Sequence, residues 1–307
     1  MKLNPVLKDF WTTQSQIKVL YGGRMSSKTE DTAGFLAYLA AKYKVRVACL
    51  RRFQNKIDES VYKVLRRKVL DDETLKNFYT VTKTQITSSI GREFIFMGIQ
   101  RNLEEIKGLD DIDITWIEEA EKLTEEQWNL IRPTILRKQN SFCILVFNPY
   151  LDTDFVYKEF VTTSHPNVLK RKINYLENPF LSQSALSLIE IDKNKLDEDE
   201  FNNIYLGLPK QDNEDALIKR KWLYECVDAH IKLGIEPTGR HFIGYDVADS
   251  GGDKNSTVCR KGILATECEE WAGGEDELRE CAQRVFNKAV LLDAGITYDC
   301  TGVGGRV

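Results

Sequence analysis

The first half of the chain alternates two hydrophobic patterns. Short apolar runs have the length of buried strands, at residues 17–21, 45–50, 93–97, 112–117 and 142–147. Between them, apolar residues recur at helical spacing, most clearly at 28–43 and in a basic segment at 59–69. Thr124 and Gln127 form a candidate capping box ahead of a further helix. The alternation predicts an α/β fold with a largely parallel sheet.

The pattern changes after residue 181. Residues 182–215 are rich in Ser, Asp, Glu, Asn and Lys without a strong strand signal, which predicts helical connecting structure that ends near Gly207 and Pro209. A second unit then begins. Its predicted elements are strands at 241–245, 256–260 and 296–298, with a turn at Gly251 and Gly252, and a helix at 275–292.

The composition is that of an ordinary globular protein, with 42% hydrophobic and 29% charged residues. No apolar run approaches the roughly 20 residues of a membrane helix, and the first residues lack the apolar stretch of a signal peptide. We therefore expect a cytoplasmic protein. Seven scattered cysteines without a C-x-x-C pair, together with only three histidines, favour reduced thiols over a disulfide framework or a zinc site.

Charge is distributed unevenly along the chain. Residues 1–70 carry 15 Lys and Arg against 5 Asp and Glu, a balance of +10, whereas the remaining 237 carry 28 against 42, a balance of −14. A basic lobe fits a polyanionic partner such as nucleic acid. A solvated basic face is the alternative, because charge patterning alone is only weakly diagnostic.

The segment GGRMSSKT at 22–29 follows a predicted strand and opens a predicted helix, which is the context of a phosphate-binding loop. The predicted nucleotide-binding residues are Gly22, Gly23, Arg24, Met25, Ser26, Ser27, Lys28 and Thr29. Lys28 would reach the β- and γ-phosphates, and Thr29 would hold Mg²⁺. Ser27 replaces the second glycine of the motif, and Met25 adds bulk, so a glycine-rich turn before a helix is the alternative.

Two carboxylates, Glu118 and Glu119, end the apolar run at 112–117. A metal-dependent nucleotidase needs one carboxylate to orient the Mg²⁺ shell and another to polarise the attacking water. We assign these roles to Glu118 and Glu119 respectively. The alternative is an acidic helix start, since Glu121 follows and carboxylates favour helix N-termini. Asn148 also ends a predicted strand, where a polar group can sense the γ-phosphate or simply cap a turn before Pro149.

Carboxylates also end two predicted strands of the second unit. Asp246 follows the strand at 241–245 and Asp299 the strand at 296–298, while Asp249 and Asp253 lie in the intervening turn region. Carboxylates on neighbouring strands can bind two metal ions and cleave a phosphodiester. Ordinary turn chemistry is the alternative for this Asp- and Gly-rich stretch.

These signals occur in the order found in the large terminase subunit of tailed bacteriophages, a family that packages viral DNA into empty capsids. The chain resembles that family along essentially its whole length, through segments 22–29, 51–55, 113–120, 147–149, 174–179, 244–253 and 298–304. The resemblance implies an ASCE-type P-loop ATPase domain at 1–180, a helical linker or lid subdomain at 181–215, and the first part of an RNase H-like nuclease domain at 216–307.

The resemblance also implies roles for single residues. ATP and Mg²⁺ would be bound by 22–29 with Glu118, and Glu119 would be the catalytic glutamate. Arg24 resembles the arginine that stabilises γ-phosphate charge from within the loop, and Asn148 falls in the coupling motif. The implied partners are double-stranded DNA, the portal of the procapsid, a small terminase subunit and other copies in a ring. The implied location is the host cytoplasm during virus assembly, and the mature virion is not expected to contain the protein.

Asp246 and Asp299 match two nuclease ligands for Mg²⁺ or Mn²⁺ in that family. The chain ends eight residues after Asp299, before the family's third acidic ligand, and Asp253 is a weak substitute. We therefore expect an incomplete nuclease, as in a truncated product or one half of a split gene. Two other functions remain open, namely a non-enzymatic remnant that binds DNA or portal, and a helicase-like P-loop ATPase.

Overall fold

The computed structural model describes residues 2–53, 61–212, 216–248, 253–273 and 277–300. The chain divides into two compact units, Met1–Leu217 and Ile218–Val307. No helix of the described part is both long and apolar enough to cross a membrane. All seven cysteines are free thiols.

The first unit is built on an eight-stranded sheet. Its strands are β1 (Ile17–Gly22), β2 (Val47–Arg51), β3 (Tyr79–Val81), β4 (Ile86–Ser88), β5 (Glu93–Gly98), β6 (Ile114–Glu118), β7 (Phe142–Phe147) and β8 (Val168–Ile173). They lie in the order β3-β4-β5-β2-β6-β7-β1-β8. The strands from β5 to β8 in this order are parallel, and β3 and β4 add an antiparallel edge. β7 is therefore inserted between the strand that precedes the 22–29 loop and the strand that ends at Glu118.

Helices cover the sheet and connect its strands. The α-helices of this unit are Lys8–Thr12, Lys28–Lys42, Lys63–Leu70, Glu73–Phe78, Leu103–Lys107, Glu125–Ile135, Phe155–Tyr157, Gln183–Lys195 and Glu198–Phe201. Shorter turns are the 3₁₀ segments Pro5–Leu7, Ala120–Lys122 and Tyr175–Glu177 and the π-helical segments Lys158–Thr162 and Asn202–Leu206. The predicted capping box is confirmed, because Thr124 accepts from Gln127 N–H and the Gln127 side chain accepts from Thr124 N–H.

Alternate residues of each central strand point to opposite faces, which gives the sheet two hydrophobic cores. Leu20 of β1 and Ile144 of β7 belong to one core, with Leu36 of the Lys28–Lys42 helix. Val19 and Leu145, their neighbours along the same strands, belong to the other core. Both faces of the sheet are therefore covered, which explains why its strands are nearly continuous apolar runs.

The second unit contains a four-stranded sheet. Its strands are β9 (His241–Asp246), β10 (Asn255–Lys261), β11 (Leu264–Trp271) and β12 (Ala294–Tyr298), in the order β11-β10-β9-β12. β9 and β12 are parallel, and the other pairs are antiparallel. Its helices are Arg220–Cys226, Ala229–Leu233 and Leu278–Leu292. A small core of Ile243, Tyr245, Cys259, Cys281, Val285 and Ala289 packs the last helix on the sheet.

The α/β prediction with a parallel sheet is confirmed, and so are the predicted strands of both units. Four strands were not predicted, namely β3, β4, β8 and β11. β3 and β4 have three residues each, too short for a pattern of period two. β8 and β11 lie at sheet edges and carry several charged residues, as edge strands commonly do. The predicted turn at Gly251 and Gly252 lies outside the described residues.

Candidate nucleotide-binding site

A cavity of about 620 Å³ opens at the carboxyl ends of β1, β6 and β7. Residues 24–29 of the loop form one wall, while Gly22 and Gly23 are buried and do not line it. Glu118 ends β6, Glu119 directly follows it, and Asn148 directly follows β7. All three residues also line the cavity. Parallel strands present their carboxyl ends at one edge of the sheet, so residues far apart in sequence meet there. The structure thus brings the predicted loop, both predicted carboxylates and the predicted coupling residue to one cavity.

The first two residues of the loop must be glycine because backbone passes close to them. A Cβ on Gly22, whose φ is +143°, would lie 1.8 Å from the carbonyl oxygen of Ile173 at the end of β8. A Cβ on Gly23 would lie 1.8 Å from the carbonyl oxygen of Tyr205. Gly207 meets the same loop from the other side, since its Cβ would lie 2.2 Å from the carbonyl carbon of Gly22. Residues 205–207 are therefore packed directly against the loop.

Met25 and Ser27 occupy the loop positions at which the sequence departs from the expected pattern. Both residues have a left-handed backbone conformation, with φ of 60° and 68°. For a residue with a Cβ this conformation costs about 1–2 kcal/mol of free energy. This conformation explains why glycine is the usual residue there. The loop keeps the required backbone shape despite the two side chains.

Lys28, at the start of the Lys28–Lys42 helix, is folded back into the loop. Its Nζ donates to the carbonyl oxygens of Gly22 at 3.0 Å and Gly23 at 2.6 Å, and to Ser26 Oγ at 2.9 Å. Burial lowers the pKa of Lys28 to about 7, against the opposing attraction of Glu118 and Glu121. A phosphate placed in the loop would favour the charged form of this lysine.

Thr29 and Glu118 meet across 89 residues of sequence. The Thr29 hydroxyl donates to Oε1 of Glu118 at 2.6 Å, and Trp116 Nε1 donates to Oε2 at 2.9 Å. Trp116 is fully buried on the same strand, so it fixes the carboxylate in place. Hydroxyl and carboxylate oxygens are the ligands that Mg²⁺ prefers, and the pair therefore fits a cation shared with a nucleotide.

Burial raises the pKa of Glu118 to about 7, while hydrogen bonds from Thr29 and Trp116 and the charge of Lys28 oppose that rise. A divalent cation at this position would favour the ionised form, because an opposite charge lowers a carboxyl pKa. The donor set of Thr29, Glu118 and Lys28 is thus suited to a bound metal and phosphate rather than to an apolar ligand.

Glu119 follows β6 in a left-handed conformation, with φ of 54°. The backbone turn directs its side chain to Arg51 at the end of β2, which donates from Nε to Glu119 Oε2 at 2.9 Å and also pairs with Oε1. The Arg51 side chain is 11% exposed and that of Glu119 45%. The carboxylate is therefore anchored from one side and open to the cavity on the other.

Arg24 and Asn148 also line the cavity. The Arg24 side chain is exposed, and its backbone N–H donates to the carbonyl oxygen of Ile204 at 2.6 Å. Asn148 directly follows β7, the strand between those that carry the loop and Glu118. Both residues therefore lie at the same cavity as Lys28, Glu118 and Glu119, and their roles stay predictions.

One further residue that lines the cavity and two residues that contact the loop were not predicted as site residues. Glu121 lines the cavity, and its Oε2 is buried without a hydrogen-bond partner among the described residues. Asn4 is fully buried and donates from Nδ2 to Ser27 Oγ at 3.3 Å and to the Glu177 carbonyl oxygen at 2.8 Å. Asn178 donates from Nδ2 to the Met25 carbonyl oxygen at 2.7 Å. Glu121 could have been found from its position three residues after Glu118, and Asn178 from its place in the segment 174–179 that carries the resemblance, whereas Asn4 offered no sequence signal.

In the second unit, the predicted nuclease residues end adjacent parallel strands. Tyr245 of β9 pairs with Tyr298 of β12, so Asp246 and Asp299 occupy neighbouring positions at the same edge. Asp253 is described, whereas Asp249 lies outside the described residues. Among the described residues, no group of three or more His, Cys, Asp or Glu is arranged to hold a metal ion.

Comparisons with known proteins agree with this architecture. The sequence profile of the phage terminase large subunit matches residues 14–208. The large terminase subunit of Bacillus phage SPP1 is 27% identical over 225 residues, which cover 67% of this chain and 53% of that protein. The chain thus spans about half the length of this curated relative.

Solved structures share the fold. The large terminase of a thermophilic bacteriophage aligns with 99% of this chain and 79% of its own, with a TM-score of 0.58 and 11% identity. The HK97 large terminase aligns with 97% of this chain and 70% of its own, with a TM-score of 0.56 and 14% identity. The profile match covers well over half of the sequence and contains the whole cavity described above, so the chain belongs to the family of phage terminase large subunits.

Proposed function

We propose that this chain binds and hydrolyses ATP in the cavity at 22–29 and uses the energy to move double-stranded DNA into a procapsid. One observation carries the proposal: Lys28, the Thr29–Glu118 pair and Glu119 surround a single cavity at the carboxyl edge of a parallel sheet. Each group has a task in phosphoryl transfer, in which positioning and charge stabilisation supply most of the catalysis.

The loop binds the phosphates. Backbone N–H groups at 22–29 and the start of the Lys28–Lys42 helix favour negative charge. The Lys28 ammonium turns from the carbonyl oxygens of Gly22 and Gly23 towards the β- and γ-phosphates. Thr29 and Glu118 would hold Mg²⁺, which would neutralise phosphate charge.

Glu119 orients the attacking water and accepts its proton, a role that typically contributes 10²–10⁴-fold to a rate. Arg24 lies on the loop and supplies positive charge to the γ-phosphate as the bond to it breaks. Asn148, at the end of β7, lies between the loop strand and the Glu118 strand, so it can transmit the loss of the γ-phosphate to the rest of the sheet. A structural precedent for the ligand is the large terminase of the same thermophilic bacteriophage in complex with ATP-γ-S.

DNA and the assembly partners are part of the same proposal. DNA contacts go mainly to phosphates, since a packaging motor must pass any sequence, and the excess of Lys and Arg in residues 1–70 supports this. The remaining proposed partners are the procapsid portal, a small terminase subunit and further copies in a ring. The proposed location is the host cytoplasm during assembly rather than the mature virion. The proposed division of labour assigns ATP turnover to 1–180, a linking role to 181–215 and a nuclease role to 216–307.

The nuclease role rests on Asp246 and Asp299, which would hold Mg²⁺ or Mn²⁺ at the shared edge of β9 and β12. Two-metal cleavage of a phosphodiester needs ligands that hold both ions. With Mn²⁺ we expect the chain to cut plasmid weakly or not at all. Efficient cleavage that is lost in Asp246→Ala would show instead that the visible carboxylates suffice.

DNA-stimulated ATP hydrolysis tests the motor. Wild type should hydrolyse ATP faster when double-stranded DNA is present, and Lys28→Ala should abolish turnover. A forked duplex separates this function from a helicase, because a packaging motor should not part its strands. Unchanged hydrolysis in Lys28→Ala would remove the motor assignment, and an absence of Mg-ATP binding by wild type would favour a non-enzymatic role on DNA or portal.

A further inference from the structure

The Met25 side chain leaves the phosphate loop and packs into a neighbouring helical cluster. The buried members of this cluster are Ile189, Phe201 and Tyr205. Met25 packs against them as a partly buried residue, together with Ile204 and Leu206. The cluster lies in the segment 183–206, which is formed by the Gln183–Lys195 and Glu198–Phe201 helices and the π-helical Asn202–Leu206.

The conformation of Met25 is unfavourable by itself. Its φ of 60° is left-handed, where glycine would have no steric penalty. A side chain retained at such a position must be compensated by its surroundings. Packing against the helical cluster, which contains Phe201 and Tyr205, compensates for the backbone strain of Met25, since methionine is flexible and packs well against aromatic rings.

The same part of the loop is bound to this segment by its backbone. Arg24 N–H donates to the Ile204 carbonyl oxygen at 2.6 Å, and a Cβ on Gly23 would collide with the Tyr205 carbonyl oxygen. Asn178 adds a hydrogen bond to the Met25 carbonyl oxygen at 2.7 Å. The loop and the segment 183–206 are therefore in contact through their backbones, and Met25 adds a side-chain contact to the same interface.

We propose that Met25 is a positioning residue that couples the occupancy of the phosphate loop to the helical segment 183–206. Phosphate binding draws the loop N–H groups and Lys28 towards the ligand, and the Met25 side chain transmits that displacement to the cluster. The inference rests on the proposed function, because it assigns a regulatory contact to the same ATP site. Through this coupling, the segment 183–206, which precedes the second unit in the sequence, responds to nucleotide binding.

Two substitutions separate coupling from strain. Met25→Gly removes the side chain and relieves the left-handed strain, whereas Met25→Leu keeps an apolar side chain of similar volume. Ser27→Gly is the matched control, because it relieves the same kind of strain in the same loop at a residue outside the cluster. The three variants therefore change strain and packing in different combinations.

Hydrogen exchange with and without Mg-ATP-γ-S measures the coupling without turnover. In wild type, Met25→Leu and Ser27→Gly, nucleotide should slow exchange both in the loop and in 183–206. In Met25→Gly, the loop should still be protected, but the nucleotide-dependent slowing in 183–206 should be lost. In turnover assays, Met25→Gly should lower kcat more than it raises KM.

The outcomes distinguish this inference from the function on which it rests. If nucleotide slows exchange in 183–206 equally in Met25→Gly and wild type, Met25 does not couple the two elements although ATP binding stands. Loss of the response in Ser27→Gly as well would show that the response depends on the loop in general rather than on the Met25 side chain, and would overturn the inference. If nucleotide protects neither element in wild type, both the ATP site and the coupling are rejected.

Discussion

Arg51 holds Glu119 by two contacts, a hydrogen bond of 2.9 Å from Nε to Oε2 and an ion pair with Oε1. Arg51 ends β2, and Glu119 directly follows the adjacent parallel strand β6. In this arrangement the proposed proton acceptor has a cationic partner on one side and faces the cavity on the other. We expect the pair to restrain Glu119, because the contact with Arg51 fixes the direction of its carboxylate.

Replacing Arg51 with alanine should uncouple hydrolysis from DNA. Glu119 would no longer be held by β2, so the ratio of DNA-stimulated to basal ATP turnover should fall towards one. Steady-state hydrolysis with and without double-stranded DNA measures this ratio. Arg46→Ala is the control, since Arg46 pairs with Glu93 near the opposite end of β2. A ratio in Arg51→Ala equal to that of wild type would show that the pair does not regulate Glu119.

Nucleotide binding should be accompanied by proton uptake or release by the site at pH values near 7. The pKa of Lys28 is lowered to about 7, so at pH 8 this lysine is mostly neutral in the empty site and should take up a proton when phosphate binds. The pKa of Glu118 is raised to about 7, so at pH 6 it is mostly protonated and should release a proton when Mg²⁺ binds.

Calorimetry in two buffers of different ionisation enthalpy measures these protons directly. Binding of Mg-ATP-γ-S should show net proton uptake at pH 8 and net release at pH 6. Glu118→Gln should reduce the release at pH 6 and keep the uptake at pH 8, and Glu121, whose pKa burial also raises to about 7, would account for any release that remains. Binding without proton exchange at either pH would contradict the burial of these two groups in the empty site.

Gly207→Ala should open the contact between the phosphate loop and the residues that support it. Its Cβ would lie 2.2–2.4 Å from the backbone of Gly22 and Gly23, at a φ of +64°. Gly91→Ala is a matched control, because Gly91 has a φ of +75°. Apart from its chain neighbours, no heavy atom of the described residues lies within 4 Å of the position that its Cβ would take. Strain alone should cost Gly91→Ala about 1–2 kcal/mol.

Thermal unfolding and nucleotide titration distinguish the two glycine variants. Gly207→Ala should lower the free energy of unfolding by more than Gly91→Ala does, and it alone should weaken nucleotide binding. Equal effects of the two substitutions on nucleotide affinity would mean that residues 205–207 do not support the loop.

The sequence predicted those features that depend on local pattern. The central strands are continuous apolar runs because both faces of the sheet are covered, and the loop at 22–29 lies between a strand and a helix as its motif requires. β8 was missed because Lys170, Arg171 and Lys172 interrupt its pattern, and an edge strand tolerates such charges. The close approach of β8 to Gly22 depends on the pairing of β8 with β1, which local sequence patterns do not predict.

The sequence indicated that the loop, the two carboxylates and Asn148 lie at one cavity, but it did not indicate their contacts. Glu118 and Glu119 could be assigned from the end of an apolar run, yet the partner of Glu119 depends on β2 lying beside β6. Asn4 and Asn178 reach the loop from 23 and 153 residues away in sequence, a distance that no local pattern encodes. Met25 departs from the motif in sequence, and only its contact with the helical cluster explains how the loop accommodates it.

The most direct test of the account compares binding and turnover of ATP in Glu119→Gln. This variant keeps the loop, Lys28 and the Thr29–Glu118 pair but lacks the proton acceptor, and Glu126→Gln on the exposed side of a nearby helix serves as control. We predict that Glu119→Gln binds Mg-ATP as tightly as wild type does and hydrolyses it about 10²–10⁴-fold more slowly. Hydrolysis at the wild-type rate with unchanged binding would contradict the account.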